Sequence, residues 1–459
     1  MNKAPRPARW LFSKVHNGLL RDICDIPSRS FTLLQVTGVG QLAQTIGHAR
    51  VAVPADAGPR RTSAYPAAGT AQKITLSVHQ SLEAVEADWR RFEQTADGTP
   101  FQTFDWLSAW QRHIGVLTGV TPAIVIAKRG DAIVFLLPLA IERGTLARRL
   151  TFLGAELCDY NAPLLAPDFS SVVGANFPAL WSEIGALLQA TPALRHDTIT
   201  LTKMPAVVGA QKNPMLGLAV HLNPSGAYET ALGTDWEAFY TGKRSSATRR
   251  RDRTKLKKLG EMGEVKFVNP DSSTETGATL ETLIAQKSKQ FGRMGVPDIF
   301  ARPGYVPFFR ELAAARQLVH ISRLDVGETW AAVNFGLTYN GCYYHVLAAY
   351  DDGDVSRFGP GAAHLRELLK RATELGFKRF DFTIGDEPYK RDWCEAEQQL
   401  FDHSAAATLR GVPTTAFALA WRSIKRTIKH TAFLWNAAVR VRSALAALRK
   451  QPEPKQSEP

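Results

Sequence analysis

Gly359-Pro360-Gly361 and, one helix later, Asp381-Phe382-Thr383-Ile384-Gly385-Asp386-Glu387-Pro388-Tyr389-Lys390 are the stretches on which the fold of this 459-residue chain turns. Between them Leu365, Leu368, Leu369, Ala372 and Leu375 recur at helical spacing, and Gly376 stands where a helix usually stops. The unit reads as loop, helix and strand, with ionisable side chains at its far end. Upstream, residues 318–325, 329–339 and 342–349 each read as a strand. Asn340-Gly341 joins the last two as a type I′ turn, whose central positions need positive φ. An antiparallel meander followed by a helical crossover predicts a mixed sheet and an α/β fold of the α+β kind.

That order, together with three local motifs, resembles a known superfamily, the Gcn5-related N-acetyltransferases (GNAT). Phe101-Gln102-Thr103-Phe104-Asp105-Trp106 with Trp110, Leu150-Thr151-Phe152-Leu153-Gly154 with Asp159-Tyr160, and Gly385-Asp386-Glu387 with Tyr389-Lys390 look like the CelD/BcsL acetyltransferases. The resemblance covers about Lys73 to Asp402. It implies acetyl-CoA as co-substrate and a saccharide acceptor, since that family is associated with cellulose and exopolysaccharide biosynthesis. One departure stands out: the family's loop commonly reads Ser-Pro-Gly, and Gly359 replaces the serine here.

A helix beginning near Gly361 leaves amide N–H groups unpaired at its positive end, which suits a diphosphate such as that of coenzyme A. Arg357, Phe358, Gly359, Pro360, Gly361 and His364 are the candidate cofactor-binding residues. On the following strand Asp381 and Thr383 face one way, and Phe380, Phe382 and Ile384 the other. Acetyl transfer removes a proton from the attacking amine or hydroxyl and delivers one to the departing thiolate. Tyr389 is a candidate acid, Asp386 and Glu387 candidate bases, and His345 a second base candidate because its ordinary pKa lies near neutrality. Asp381 and Lys390 complete the catalytic set. Each also has a packing or surface reading: Asp381 holding the loop, Tyr389 half-buried, Lys390 in a solvated charge run, His345 in the cleft wall.

The stretch from Lys73 to Met204 repeats the same grammar, with a strand, a helix at 82–92, a hairpin at Arg129-Gly130-Asp131, a helix at 178–188 and a strand at 198–202. It reads as a degenerate copy, because Asp159-Tyr160-Asn161-Ala162-Pro163 stands where a glycine loop would lie; its expected role is to help hold the acceptor. The organisation is therefore a disordered or loosely attached extension (1–72), a degenerate GNAT-like domain (73–225), a GNAT-like domain with the cofactor site (226–410), a basic amphipathic helical tail (411–450) and a disordered end (451–459). Two acyltransferase-like halves also occur in FemAB-type aminoacyltransferases, which use aminoacyl-tRNA; a third possibility is a non-catalytic scaffold of a polysaccharide synthase.

The net charge of +13 concentrates in two places. Lys243 to Lys258 reads as a solvated helix or as a draw for an anionic partner, with nucleic acid the least favoured because no aromatics interleave the basic residues. In the tail, Phe417, Trp421, Ile424, Ile428, Trp435 and Val439 share a helical face flanked by Arg422, Lys425, Arg426 and Lys429. Such a helix can lie on an anionic membrane surface or dock on a protein. Residues 30–49 lack formal charge but carry too many polar residues and glycines for a membrane span. Cys24, Cys158, Cys342 and Cys394 lack metal spacing and indicate reduced thiols, hence a cytoplasmic protein with a route to the inner membrane through its tail.

Overall fold

The computed structural model describes residues 73–430 apart from Ala396, so the expectations for 1–72 and for the tail beyond His430 lie outside the described residues. Two mixed sheets repeat one plan. In the first, Ile74–His79, Thr121–Arg129, Ala132–Arg143 and Arg148–Phe152 pair antiparallel in sequence order. The helix Phe177–Ala190 then crosses over and returns Thr198–Pro205 parallel to Arg148–Phe152. In the second, Val265–Val268, Val319–Val326, Thr329–Tyr339 and Cys342–Tyr350 form the meander. The helix Pro360–Glu374 brings Arg379–Ile384 back parallel to Cys342–Tyr350, and Ala227–Ala231 closes that side antiparallel.

Local chemistry explains the elements. Asn340 and Gly341 adopt φ of 45° and 69°, the paired positive values a type I′ hairpin requires. Gly359 precedes the crossover helix at φ 68°, Pro360 opens it, and Gly376 ends it at φ 79°. Leu365, Leu368, Leu369 and Ala372 are buried as the periodicity predicts, whereas Leu375, past the last full turn, is 57% exposed. Phe380 and Phe382 pack with them, but Ile384 packs in the opposite core, against the alternation expected for this strand. The reason is Thr383, which sits at φ 59° and breaks the two-residue period.

Aromatic rings join the halves. Phe101 meets Trp106, Tyr160 and Tyr344 edge-on at 5.3, 5.9 and 6.3 Å, and Trp106 meets Phe308 at 5.1 Å. The 101–106 motif thus builds the seam between the sheets, an arrangement suited to the edge-to-face preference of π systems. The chain also interlocks the halves: Leu400–Ala406, inside the segment expected to form the second unit, pairs instead between Thr198–Pro205 and Val220–Leu222 of the first sheet. The helix Gly411–His430 starts against that strand. Among the described residues no helix is long and apolar enough to cross a membrane.

Candidate active site

The second sheet opens where its one parallel pair ends. Cys342, Tyr343 and Tyr344 pair with Arg379, Phe380 and Asp381, and pairing stops there although the two strands continue to Tyr350 and Ile384. Just beyond, the register against Thr329–Tyr339 slips from Phe335–Leu347 to Gly336–His345, which leaves Val346 as the extra residue of a β-bulge. Bulges re-aim backbone groups and are frequent beside active sites. The crossover helix begins on one side of this opening, and the 381–390 stretch lines the other.

Asp381 lies at the fork, 4% exposed. One of its oxygens accepts from the Tyr160 phenol and from the Thr383 amide, each at 2.7 Å. Burial pushes its carboxyl up to about 7, against the pull of those two donors. Thr383 holds a positive φ that a β-branched residue rarely adopts, a form of backbone strain that clusters at functional sites. Lys390 sustains it: this 3%-exposed ammonium donates to the carbonyls of Thr383 (3.2 Å) and Ile384 (2.9 Å) and sits 2.9 Å from Glu387 Oε2. Its charge is therefore absorbed by its own loop rather than offered to solvent.

The other expected residues divide by position. Glu387 is half open, and Tyr389 is 39% exposed with its ring edge-on to Phe382 at 6.2 Å. Surrounding protein, then Glu387, push the Tyr389 phenol well above its ordinary value, so it is a protonated donor at neutral pH. Asp386 is half-buried and acts electrostatically on Arg391. His345 lies against Phe380 and Phe382 at 6.0 and 6.3 Å, and burial, then the charges of Lys390 and Lys287, lower it to about 3. It is neutral at physiological pH. His364 turns inward, 2% exposed, with Nε2 3.1 Å from Ser322 Oγ, and burial lowers it to about 3 as well.

At the start of the crossover helix, Pro360 has no N–H and the amides of Ala362 and Ala363 already bond to Gly359 O. The backbone cradle is therefore narrower than the sequence suggested. Side-chain charge compensates. Arg357 is exposed and covers the Phe358 ring at 5.0 Å, and a Cβ placed on Gly359 would lie 3.7 Å from Lys255 Nζ. Lys255 belongs to the helix Ser246–Gly260, anchored by buried Leu259, which carries exposed Arg250, Arg253 and Lys255 without an ion pair among the described residues. The basic run thus lies beside the loop expected to take phosphate.

Two lysines and a carboxylate were not foreseen as part of this site. Lys287, on the helix Ser273–Met294, donates at 3.1 Å to Ala348 O, in the part of Cys342–Tyr350 that no longer pairs with Arg379–Ile384, and burial lowers it to about 8. Asp159 is pushed up by burial, opposed by Lys203, Thr383 and Lys390. Lys203 donates to the carbonyls of Ala155 and Cys158 at 3.2 and 2.9 Å, which fixes the loop that carries Asp159 and Tyr160. A signal for Lys287 existed: it falls at helical spacing with buried Leu280 and Leu283, where an apolar residue belongs.

Residues 246–391 match the family model described as an acetyltransferase (GNAT) domain; the match ends one residue after Lys390. No curated protein gives a significant match. Among solved structures, FemX is 10% identical, with 75% of this chain and 99% of FemX covered at a TM-score of 0.50. L-PGS from Bacillus licheniformis is 12% identical, covering 76% and 98% at 0.43. A tandem GNAT protein from the clavulanic acid biosynthesis pathway is 12% identical, covering 73% and 99% at 0.39. At such identities the likeness to FemX speaks for fold alone. The match over residues 246–391 makes the second half a GNAT-like acyltransferase unit, and the first half repeats its sheet plan.

Proposed function

We propose that this chain is an acetyltransferase of the CelD/BcsL type, transferring an acetyl group from acetyl-CoA to an amine or hydroxyl of a saccharide or exopolysaccharide precursor. The observation that carries the reading is the strand fork at Tyr344–Asp381, inside the matched domain, with the start of a helix on one side and Asp381, Glu387 and Tyr389 on the other. A thioester carrier lying through such a fork would place its phosphates by Gly359, Pro360 and Gly361, where Arg357, Phe358 and Lys255 add charge and a ring face. Asp381, or Glu387 at the Lys390 end of the same stretch, takes the proton of the acceptor as its nitrogen or oxygen attacks the thioester carbon. The C–S bond breaks, and the Tyr389 phenol protonates the thiolate. Lys390 and Thr383 hold the loop in place for this, and His345, neutral and packed, serves the wall. Orientation and proton handling supply the rate. The cytoplasm is the site of such chemistry, with the basic tail as the route to an anionic inner-membrane surface.

Coenzyme A should raise the melting temperature of the full chain, by a shift that grows with ligand concentration. Gly361→Trp, which fills the space beside Tyr350, should abolish that shift while leaving the unliganded melting temperature within a few degrees. Absence of any shift at saturating coenzyme A sinks the proposal.

A FemAB-like transfer of an amino acid from aminoacyl-tRNA is the second reading, favoured by the FemX-like fold and by the exposed cations of Ser246–Gly260. Acceptor-dependent release of free thiol from acetyl-CoA decides between them, because only the acetyl reading produces it.

A further inference from the structure

The loop after Arg148–Phe152 in the first half occupies the place that Asp351–Gly359 occupies in the second, between the last meander strand and the crossover helix. It reaches into the other half's fork. Tyr160, 4% exposed, donates its phenolic hydrogen to Asp381 across 221 residues of sequence. The loop is strapped from several directions. Gln102 Nε2 donates to Tyr160 O at 2.8 Å, Asn161 N donates to Lys203 O at 3.0 Å, and Asn161 Nδ2 donates to Thr202 O at 3.0 Å. Phe101 and Tyr344 press on the ring itself. A phenol fixed this firmly, aimed at a buried carboxyl in the opposite half, has little freedom to be an incidental contact.

We infer that Tyr160 is a positioning residue for the reaction of the second half: its hydroxyl orients the Asp381 carboxylate and stabilises its ionised form, so the first half completes the active site. The inference rests on the acyl-transfer reading above, in which Asp381 takes the acceptor's proton. The groups facing Asp381 come from every neighbouring element. They are Tyr160 from the first half (with Asp159 acting in turn on Tyr160), Cys342 and Tyr344 from the paired strand, Glu229 from Ala227–Ala231, Arg379 on its own strand, and Lys390 and Cys394 from the segment beyond. Among these, Tyr160 makes a 2.7 Å hydrogen bond to the carboxylate; a donor to the charged form favours it, so its removal raises the carboxyl's pKa.

The test uses the full chain and Tyr160→Phe, which keeps the ring and its packing. Carboxyl-labelled aspartate, assigned by comparison with Asp381→Asn, reports the titration midpoint of Asp381 by NMR. It should move upward by about one unit in Tyr160→Phe, and the acidic limb of acetyl-CoA thiol release, with glucosamine as probe acceptor, should move with it. Below both midpoints that is roughly a tenfold loss of rate; on the alkaline plateau the loss should nearly vanish. In an Asp381→Asn background Tyr160→Phe should change neither readout. A midpoint that stays put, or a rate lowered equally at every pH, overturns the inference. If the wild-type chain releases no thiol with any acceptor, the acyl-transfer reading and the reaction role of Tyr160 both fall, while the NMR midpoint still reports whether the phenol stabilises the carboxylate.

Discussion

Lys390 has three N–H donors and three protein partners, the carbonyls of Thr383 and Ile384 and the carboxylate of Glu387. Replacing it with methionine strips two carbonyls and a half-buried charge of their partner at once, so we expect Lys390→Met to destabilise the fold by roughly 2–4 kcal/mol, read from the denaturant midpoint. Asp381 contributes with the opposite sign from a salt-bridged carboxylate. Its folded-state pKa of about 7 lies above the ordinary 3.8, so the folded state binds the proton more tightly. Stability from this group is fully present below about 4 and is lost as pH rises through about 7. Asp381→Asn, which can still accept from Tyr160 and Thr383, should therefore be more stable than wild type at pH 8, with the difference shrinking toward pH 5 in parallel urea titrations. A residual slope belongs to Glu93, also pushed up to about 7 by burial, and to Asp159, which burial raises as well.

At the scale of elements, the helix Ser246–Gly260 tests the electrostatic part of the site without touching its packing. Arg250, Arg253 and Lys255 are exposed, and Leu259 anchors the helix from another face. The triple change to glutamate should leave thermal stability nearly unchanged and weaken coenzyme A binding by about an order of magnitude at low salt, with most of that difference gone at high ionic strength. Calorimetry at two salt concentrations measures it. The sequence carried the meander, the hairpin, the crossover and the repeat of that plan, because periodicity, an Asn-Gly turn and helix-stop glycines are local signals. It did not carry the break at Thr383, since nothing in its neighbours announces a left-handed threonine. Nor did it show that His364 faces the sheet, because a helix's first turn can point a side chain either to the mouth or to the core. The partnerships of Tyr160 with Asp381 and of Asp159 with Thr383 are long-range, and no local pattern encodes them.

For the molecule as a whole, the exchange of Leu400–Ala406 into the first sheet couples the halves. Urea unfolding followed by a probe placed in the first half should coincide with unfolding followed by a probe placed in the second. Two separated transitions would show the halves to be independent. A chain ended at Gln399 removes the strand that bridges Thr198–Pro205 and Val220–Leu222, and should lose its cooperative transition rather than a fraction of its stability.

The returning strand also sets a schedule for biosynthesis. An emerging polypeptide has already displayed the apolar face around Leu201 and Met204 well before the ribosome has translated the residues that cover its edge. The early half must wait, partly formed, through nearly two hundred codons. Such delayed closure of a long sequence interval slows productive folding and leaves an unpaired border open to neighbouring chains, so yield in a cell should depend on chaperone capacity more steeply than the finished enzyme's stability would suggest.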